Sequence, residues 1–439
     1  MSTIGFYSTR DPSKQLVSFK EALLKGLALD GGLFVPNELP PLAVNWEEAA
    51  SLAELGKLVF RPFMADDIAD DELAPLLADA LSFDLPLHDL GDGVFVLELF
   101  HGPTLSFKDF GARTMARLMN HFLRRRQQRL TILVATSGDT GSAVADGFAG
   151  MDAIHVILLY PKGLVSDVQE RQLIVKRPGV KAVAVEGSFD DCQRLVKAAF
   201  TAEDLASYAL SSANSINIGR LLPQMLYYLW ARKTLAQDHG IDNSLICVPS
   251  GNLGNFSAGF MAKEMGMPVA GFLLAHNANH FFPEYLAARK EAYDFAATQA
   301  TLSNAMDVGA PSNFERLHHL FGDDKLRGEL WAQSVDDDST LARMQRLAQD
   351  KGYHACPHTA VGLEAVARYR QTTADNRPVI SLATAHPVKF PDAFTKAGIE
   401  IEGGVLEHLF QQETDVELIP PDITRFKTLV QSHAHPRTM

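Results

Sequence analysis

From residue 94 onward, short apolar and β-branched runs alternate with amphipathic stretches of helical period, and this alternation limits the architectures open to the chain. The runs 94–99, 131–135, 154–160 and 181–185 are separated by helical patterns over 110–123 and 140–149 and one starting at Ser166, and another follows over 190–200. A strand followed by a helix and a further strand in one direction gives a parallel sheet, because each crossover needs a helix to bring the chain back. The rhythm resumes after a long helix over 220–236, which tolerates Pro223 in its first turn and has Gly240 just past its end. It continues with a run at 245–248, a helix over 257–265 and a run at 269–275. Past Phe281 it loosens into a longer excursion with a helical region around 315–321. Helices over 339–350 and 359–369, a run at 378–382 and a helix near 392–396 close this part.

Two such blocks predict an α/β protein with two parallel-sheet lobes and a ligand cleft between them, at the carboxyl ends of the strands. Residues 1–93 read as a mostly helical accessory domain. Leu16, Phe19, Leu23 and Leu27 share one helical face that Asp30-Gly31-Gly32 would end, and Asn45 with Glu48 suggests a capping box for a second helix. The expected division is therefore 1–93, then a smaller lobe over 94–219, then a larger lobe over 220–439 with a polar tail after Gln411.

A chain of 439 residues, 46% of them hydrophobic, can bury a large core. With 40 basic and 53 acidic residues its net charge is −13, which argues against a nucleic acid or an anionic membrane as the main partner. The run Arg124-Arg125-Arg126 ends an amphipathic helix, where cations suit the dipole, so it reads as a solvated terminus. Three scattered cysteines make no disulfide framework, and residues 1–15 lack the apolar stretch of a signal peptide. No apolar run approaches the roughly 20 residues of a membrane span. The expected compartment is the cytoplasm, and the expected subunit state is monomer or dimer.

Lys108 follows the turn His101-Gly102-Pro103 and precedes a helical pattern, at a strand-to-helix junction where α/β sites gather. Its apolar neighbours Phe107 and Phe110 disfavour an ammonium, as a lysine that condenses with an aldehyde requires. A plain solvated lysine is the competing reading. Ser250-Gly251-Asn252-Leu253-Gly254-Asn255 lies between an apolar run and a helix, where backbone N–H groups and the helix dipole suit a phosphate. The two segments together point to pyridoxal 5′-phosphate.

Two more turns suit anions. Thr136, Ser137, Thr140 and Ser142 crowd hydroxyls around Asp139 at a helix start, beyond what an ordinary N-cap needs. Asn214 and Ser215 precede Arg220, a cation at a helix start that a bound anion would compensate. Thr384, at the end of a strand, could offer its hydroxyl to a pyridine nitrogen or be a plain strand end. His101 reads as a hydrogen-bonded turn histidine. His354, Cys356 and His358 lack a fourth ligand partner, so no metal is expected.

The segments LFHGPTLSFKDFGART, ATSGDTGSAV, LYPKGLVSDVQE, SANSINIGRLLPQ, VPSGNLGN, TLSNAMDVGAPSN and ATAHPVKF, in this order from near residue 5 to near residue 395, resemble the threonine synthases of the longer microbial and fungal kind. These belong to the tryptophan synthase β-like, fold type II, pyridoxal phosphate enzymes. The resemblance implies a lyase that converts O-phospho-L-homoserine and water to L-threonine and phosphate, in the last step of threonine biosynthesis. A phospho-lyase yielding a keto acid, ammonia and phosphate is the alternative.

By the same resemblance Lys108 is the Schiff-base lysine, and Gly251, Asn252, Leu253, Gly254 and Asn255 form the cofactor-phosphate loop. Thr384 faces the pyridine nitrogen. Thr136, Ser137 and Thr140 hold the substrate carboxylate, and Asn214, Ser215 and Arg220 clamp the substrate phosphate. Asp139, grouped with the substrate-binding residues, stands where many members of the wider group carry Asn. Cys356 precedes Pro357-His358 where the pattern has an acidic residue.

Overall fold

The computed structural model describes residues 4–401 and 404–436. Its strands are β1 (Phe6–Ser8), β2 (Phe34–Pro36), β3 (Leu87–Asp89), β4 (Val94–Glu98), β5 (Leu130–Ala135), β6 (Ile154–Pro161), β7 (Val180–Val185), β8 (Leu210–Ser211), β9 (Leu245–Pro249), β10 (Gly271–His276), β11 (Leu330–Ser334), β12 (Val379–Ala383) and β13 (Val416–Ile419). The larger sheet runs β11-β10-β9-β12-β4-β3, and the smaller runs β13-β7-β6-β5-β8. All neighbours are parallel except β3, which pairs antiparallel with β4. Every residue of β5, β9 and β12 is buried, as expected of strands covered by helices on both faces.

The sheets do not follow the expected chain segments. β4 belongs to the larger sheet although it opens the 94–219 segment, and β13 returns from the end of the chain to the edge of the smaller sheet. The stretch after Gln411 is thus no tail. β13 pairs with β7, and the helix Ile423–His433 buries Phe426, Leu429 and Val430. Periodicity cannot tell which sheet a strand joins, since that depends on pairing partners distant in sequence.

The N-terminal region is mostly helical, with a small two-stranded antiparallel sheet, β1–β2, whose strands flank its first helix. Its first helix spans only Phe19–Lys25, because Gly26 takes φ 72° and stops it, leaving Leu29 fully in solvent at 98% exposure. Asn45 makes no side-chain cap and precedes a 3-10 turn, Trp46–Glu48. The cap falls instead to Ser51, whose hydroxyl accepts from the Glu54 amide at the head of the helix Leu52–Met64. That helix buries Leu55, Val59, Phe60 and Phe63 in one core continuous with the helix Lys108–Arg125. The long helix expected from Arg220 is broken into Ile218–Leu221, a 3-10 turn Leu222–Gln224 and Met225–His239. Strand β11, within the loose excursion after Phe281, carried too little alternation to be read from sequence.

Candidate active site

Parallel pairing places the ends of neighbouring strands side by side. Beyond the end of β12, Thr384 accepts through its backbone oxygen from the Phe107 amide at 2.9 Å, and the Leu99 amide donates to Ala383 at 2.9 Å. The turn between β4 and the next helix is thereby fixed against β12. Inside it the buried Asp109 carboxylate accepts from the Thr104 amide at 2.9 Å and from its hydroxyl at 2.6 Å. Gly102 lies so close that a Cβ there would come within 2.5 Å of Asp109 Oδ2. Burial, opposed by the Thr104 bonds, pushes the Asp109 carboxyl up to about 6. Asp109 therefore shapes the turn that delivers Lys108 at the first position of its helix.

The Lys108 amine is 5.2 Å from the Phe107 ring and 3.8 Å from Asp139 Oδ2, with its side chain 14% exposed. Burial pulls its pKa down to about 8, Asp139 opposes this, and Lys389 and Arg220 add to it. Asp139 opens the helix Asp139–Phe148 after β5. Its Oδ1 accepts from the Lys389 amine at 2.8 Å and from the Gln169 amide at 3.0 Å. Burial resists the charge, yet Lys389, then Lys108, with the hydrogen bonds from Lys389 and Gln169, holds this carboxyl well below the ordinary carboxylate range. Lys389, on a 3-10 turn Pro387–Lys389, is wholly buried and also donates to the Thr104 carbonyl at 2.8 Å.

Around Asp139, the expected substrate-carboxylate residues divide into two sorts. Thr136 is 1% exposed, and its hydroxyl accepts from the Gly138 amide at 3.1 Å and the Gly141 amide at 2.8 Å, so it organises its own loop. Ser137 and Thr140 are half-buried. They lie at a helix start, where first-turn N–H groups have no partner within the helix.

On the other side, Arg220 is 3% exposed and donates from Nη1 to the Ala213 carbonyl at 2.8 Å, with Nε left unpartnered. Burial brings it down to about 10, with Asp109 opposing, so it stays cationic at neutral pH. Gly111 makes room for it, since a Cβ there would come within 3.0 Å of Arg220 Nε. Asn214 Oδ1 is also buried without a partner. The Ser215 hydroxyl instead accepts from the Asn252 amide at 2.5 Å, and Asn252 Oδ1 accepts from the Ser312 amide at 2.5 Å. Ser215 thus joins two turns by a hydrogen bond.

The turn after β9 is a tight cradle. A Cβ on Gly251 would sit 2.7 Å from Met306 Cα, and Leu253 adopts the left-handed conformation with φ 59° just before the helix Gly254–Glu264. Asn255 Oδ1 accepts from the Tyr227 hydroxyl at 2.5 Å and the Tyr228 hydroxyl at 2.6 Å, while its Nδ2 is buried with no partner. Tyr227 meets Phe110 edge-on at 5.2 Å, and Gln224 donates to the Arg220 carbonyl at 2.7 Å, tying this cradle to the Lys108 and Arg220 elements. The unpartnered Asn255 amide nitrogen, a crowded glycine turn at a helix N-terminus and an amine of lowered basicity fit a phosphorylated aldehyde.

A cleft of about 570 Å³ borders this site through Ile216 and Ser312, with Arg10, Lys197, Tyr293 and His319 on its walls. Lys108 does not line it. His101 Nε2 pairs with Glu98 at 2.7 Å, in keeping with a bonded turn histidine. His358 Nε2 takes the Ala305 amide at 3.1 Å, and burial brings its ring down to about 4. Among the described residues no helix is long and apolar enough to cross a membrane.

Lys389, Gln169, Asp109, Gln224 and the Tyr227–Tyr228 pair escaped the sequence reading. The one available signal was Lys389 itself, set between Val388 and Phe390 just after the strand end that carries Thr384.

Comparison with known proteins places the chain in a family. Residues 76–385 match the family described as pyridoxal-phosphate dependent enzyme, residues 5–81 match the threonine synthase N terminus, and residues 359–430 match the threonine synthase C-terminal family. The threonine synthase of Pseudomonas aeruginosa is 35% identical over 98% of this chain and 98% of its own length. That of Escherichia coli is 37% identical over 97% of this chain and 99% of its own. The crystal structure of pyridoxal phosphate-bound threonine synthase from Brucella melitensis superposes with a TM-score of 0.90 at 34% identity, covering 99% of this chain and 100% of that one. The chain belongs to the threonine synthase family of pyridoxal phosphate-dependent lyases.

Proposed function

We propose that this enzyme converts O-phospho-L-homoserine and water to L-threonine and phosphate, in the cytoplasm. The observation that supports it best is one amine of lowered basicity, Lys108, among separate sets of buried unpartnered groups on different elements. Gly251, Asn252, Leu253, Gly254 and Asn255 would hold the cofactor phosphate, Lys108 would meet its aldehyde, and Thr384 would face the pyridine nitrogen. When bound, pyridoxal phosphate supplies an electron sink for the carbanion at the substrate α-carbon.

The chain's own groups do the rest. Ser137, Thr140 and the first-turn amides of the helix Asp139–Phe148 bind the substrate carboxylate. Arg220, with Asn214, takes the substrate phosphate, and its free Nε accommodates the charge that grows as the phosphate leaves. Ser215 contributes by holding Asn252 in place. With its amine free, Lys108 would take the α-proton. Overall the substrate gives up one proton from the α-carbon, one from the β-carbon and its γ-phosphate, and it gains a proton at the γ-carbon, the hydroxyl of water at the β-carbon and a proton back at the α-carbon, which Lys108 would return.

The test is product analysis with O-phospho-L-homoserine. One threonine per phosphate released is expected. A keto acid with ammonia would replace this reading by the phospho-lyase. Borohydride reduction followed by peptide mapping should label Lys108, and a label on another lysine would overturn its role.

A further inference from the structure

Lys389 is a charged side chain with 0% exposure, and its amine has two partners, Asp139 Oδ1 at 2.8 Å and the Thr104 carbonyl at 2.8 Å. The same carboxylate turns its other oxygen to Lys108 at the longer distance of 3.8 Å. Two amines thus share one buried anion. An isolated Asp139–Lys108 pair in this setting would strongly favour the ammonium, since attraction between opposite charges is large where water is excluded. A reacting lysine needs the opposite. It must be readily freed of its proton to condense with an aldehyde and to act as a base.

We propose that Lys389 is a positioning residue for the reacting amine: its close contact neutralises Asp139 and so prevents Asp139 from holding Lys108 as an ammonium. The arrangement has a second benefit. A bare Asp139 carboxylate at the start of the helix Asp139–Phe148 would repel a substrate carboxylate docking on Ser137 and Thr140. Paired with Lys389, it leaves that helix end without a net negative charge. The charged and titratable groups facing Lys108 are Asp139, Lys389, Arg220 and His358, burial keeps His358 neutral at working pH, and the buried Asp109 carboxyl beside Thr104 acts on Lys389 as well. Asp139 alone among the groups facing Lys108 is an anion, so its partner sets the balance. Burial lowers the Lys108 amine most, Asp139 opposes it, and Lys389 acts in the direction the proposal requires.

This inference rests on Lys108 being the reacting amine, but its test needs neither cofactor nor turnover. Reductive methylation of the cofactor-free chain, with peptide mass spectrometry across about pH 6 to 11, gives the titration midpoint of Lys108 directly. The native chain should show a midpoint near about 8. Lys389→Met should raise it by about one pH unit or more, which means roughly tenfold less free amine at neutral pH. Lys389→Arg, which keeps the charge, should stay near the native value. Asp139→Asn should lower it, because the attraction is gone while the Lys389 charge remains.

An unmoved or lowered midpoint in Lys389→Met overturns the proposal, as does Lys389→Arg behaving like the methionine variant. If Lys389→Met does not fold, Lys389→Gln decides: a raised Lys108 midpoint supports the proposal, and an unmoved or lowered one refutes it. A purely structural lysine would alter thermal stability and leave every midpoint in place. Borohydride labelling of a different lysine would fail the functional reading without moving these midpoints, so the two failures are distinguishable.

Discussion

The turn after Ala135 and the turn after Pro249 share a plan, in which a buried parallel strand leads through small residues to a helix N-terminus. They differ in what holds them. In the first, Thr136 bonds the Gly138 and Gly141 amides, and a charged Asp139 stands at the helix start under Lys389. In the second there is no charge. Gly251 is packed against Met306, Leu253 is left-handed, and Asn255 is oriented by two tyrosine hydroxyls. The neutral turn has its shape set by packing, which under the proposed function suits a group that stays. The charged turn carries a compensated ion pair beside Lys108, and its character is set by electrostatics.

The largest expected effect breaks the packed turn. Gly251→Ala brings a Cβ within 2.7 Å of Met306 backbone, so the turn must shift, and pyridoxal phosphate retention in equilibrium dialysis should weaken by about 100-fold. Near-native retention would mean that the turn is more compliant than its packing implies.

The charged side is probed by pH. Below about 8 the rate at which the Lys108 amine reacts with an aldehyde should fall about tenfold per pH unit, and above it the rate should level off. An ordinary lysine would keep gaining toward 10.5. The same depression predicts a stability trend in the cofactor-free chain. Between about 8 and 10.5 the unfolded chain binds more protons than the folded one, so stability from denaturant titration should rise with pH in this window. Lys108→Met should remove that rise.

Asn255→Ala should weaken cofactor binding about tenfold, the loss of one hydrogen bond to a charged group. Its stability cost should be small, because Tyr227 can still donate to Gln224 at 3.0 Å and Tyr228 to the residue 255 carbonyl at 3.0 Å. Smallest for the chemistry should be Thr136→Val. It leaves two buried amides without an acceptor and should cost about 1–3 kcal/mol in denaturant titration, with KM for the substrate changing little. A raised KM at unchanged stability would instead make Thr136 a direct substrate contact.

The strand and helix alternation from residue 94 was legible because both periods are local, and so were the turns at 136–140, 212–220 and 250–255, which small polar residues mark. Lys108 could be picked out from its apolar neighbours and its junction. The roles of Thr136 and Ser215 could not be, since a hydroxyl beside a site reads alike whether it binds a ligand or a neighbouring turn. The role of Lys389 was illegible for a related reason. Its neighbours Val388 and Phe390 hint at burial, but its partner Asp139 lies far away in sequence.

By itself the sequence determined the class of architecture and marked a candidate amine and the turns suited to anions, because hydrophobic period, glycine and hydroxyl content act over a few residues. Only the tertiary structure decided which sheet β4 and β13 join, which polar atoms are left without partners, and which of two lysines Asp139 holds more closely. Pairing and burial join segments distant in the chain, and the energy of a charge depends on what is packed around it after folding.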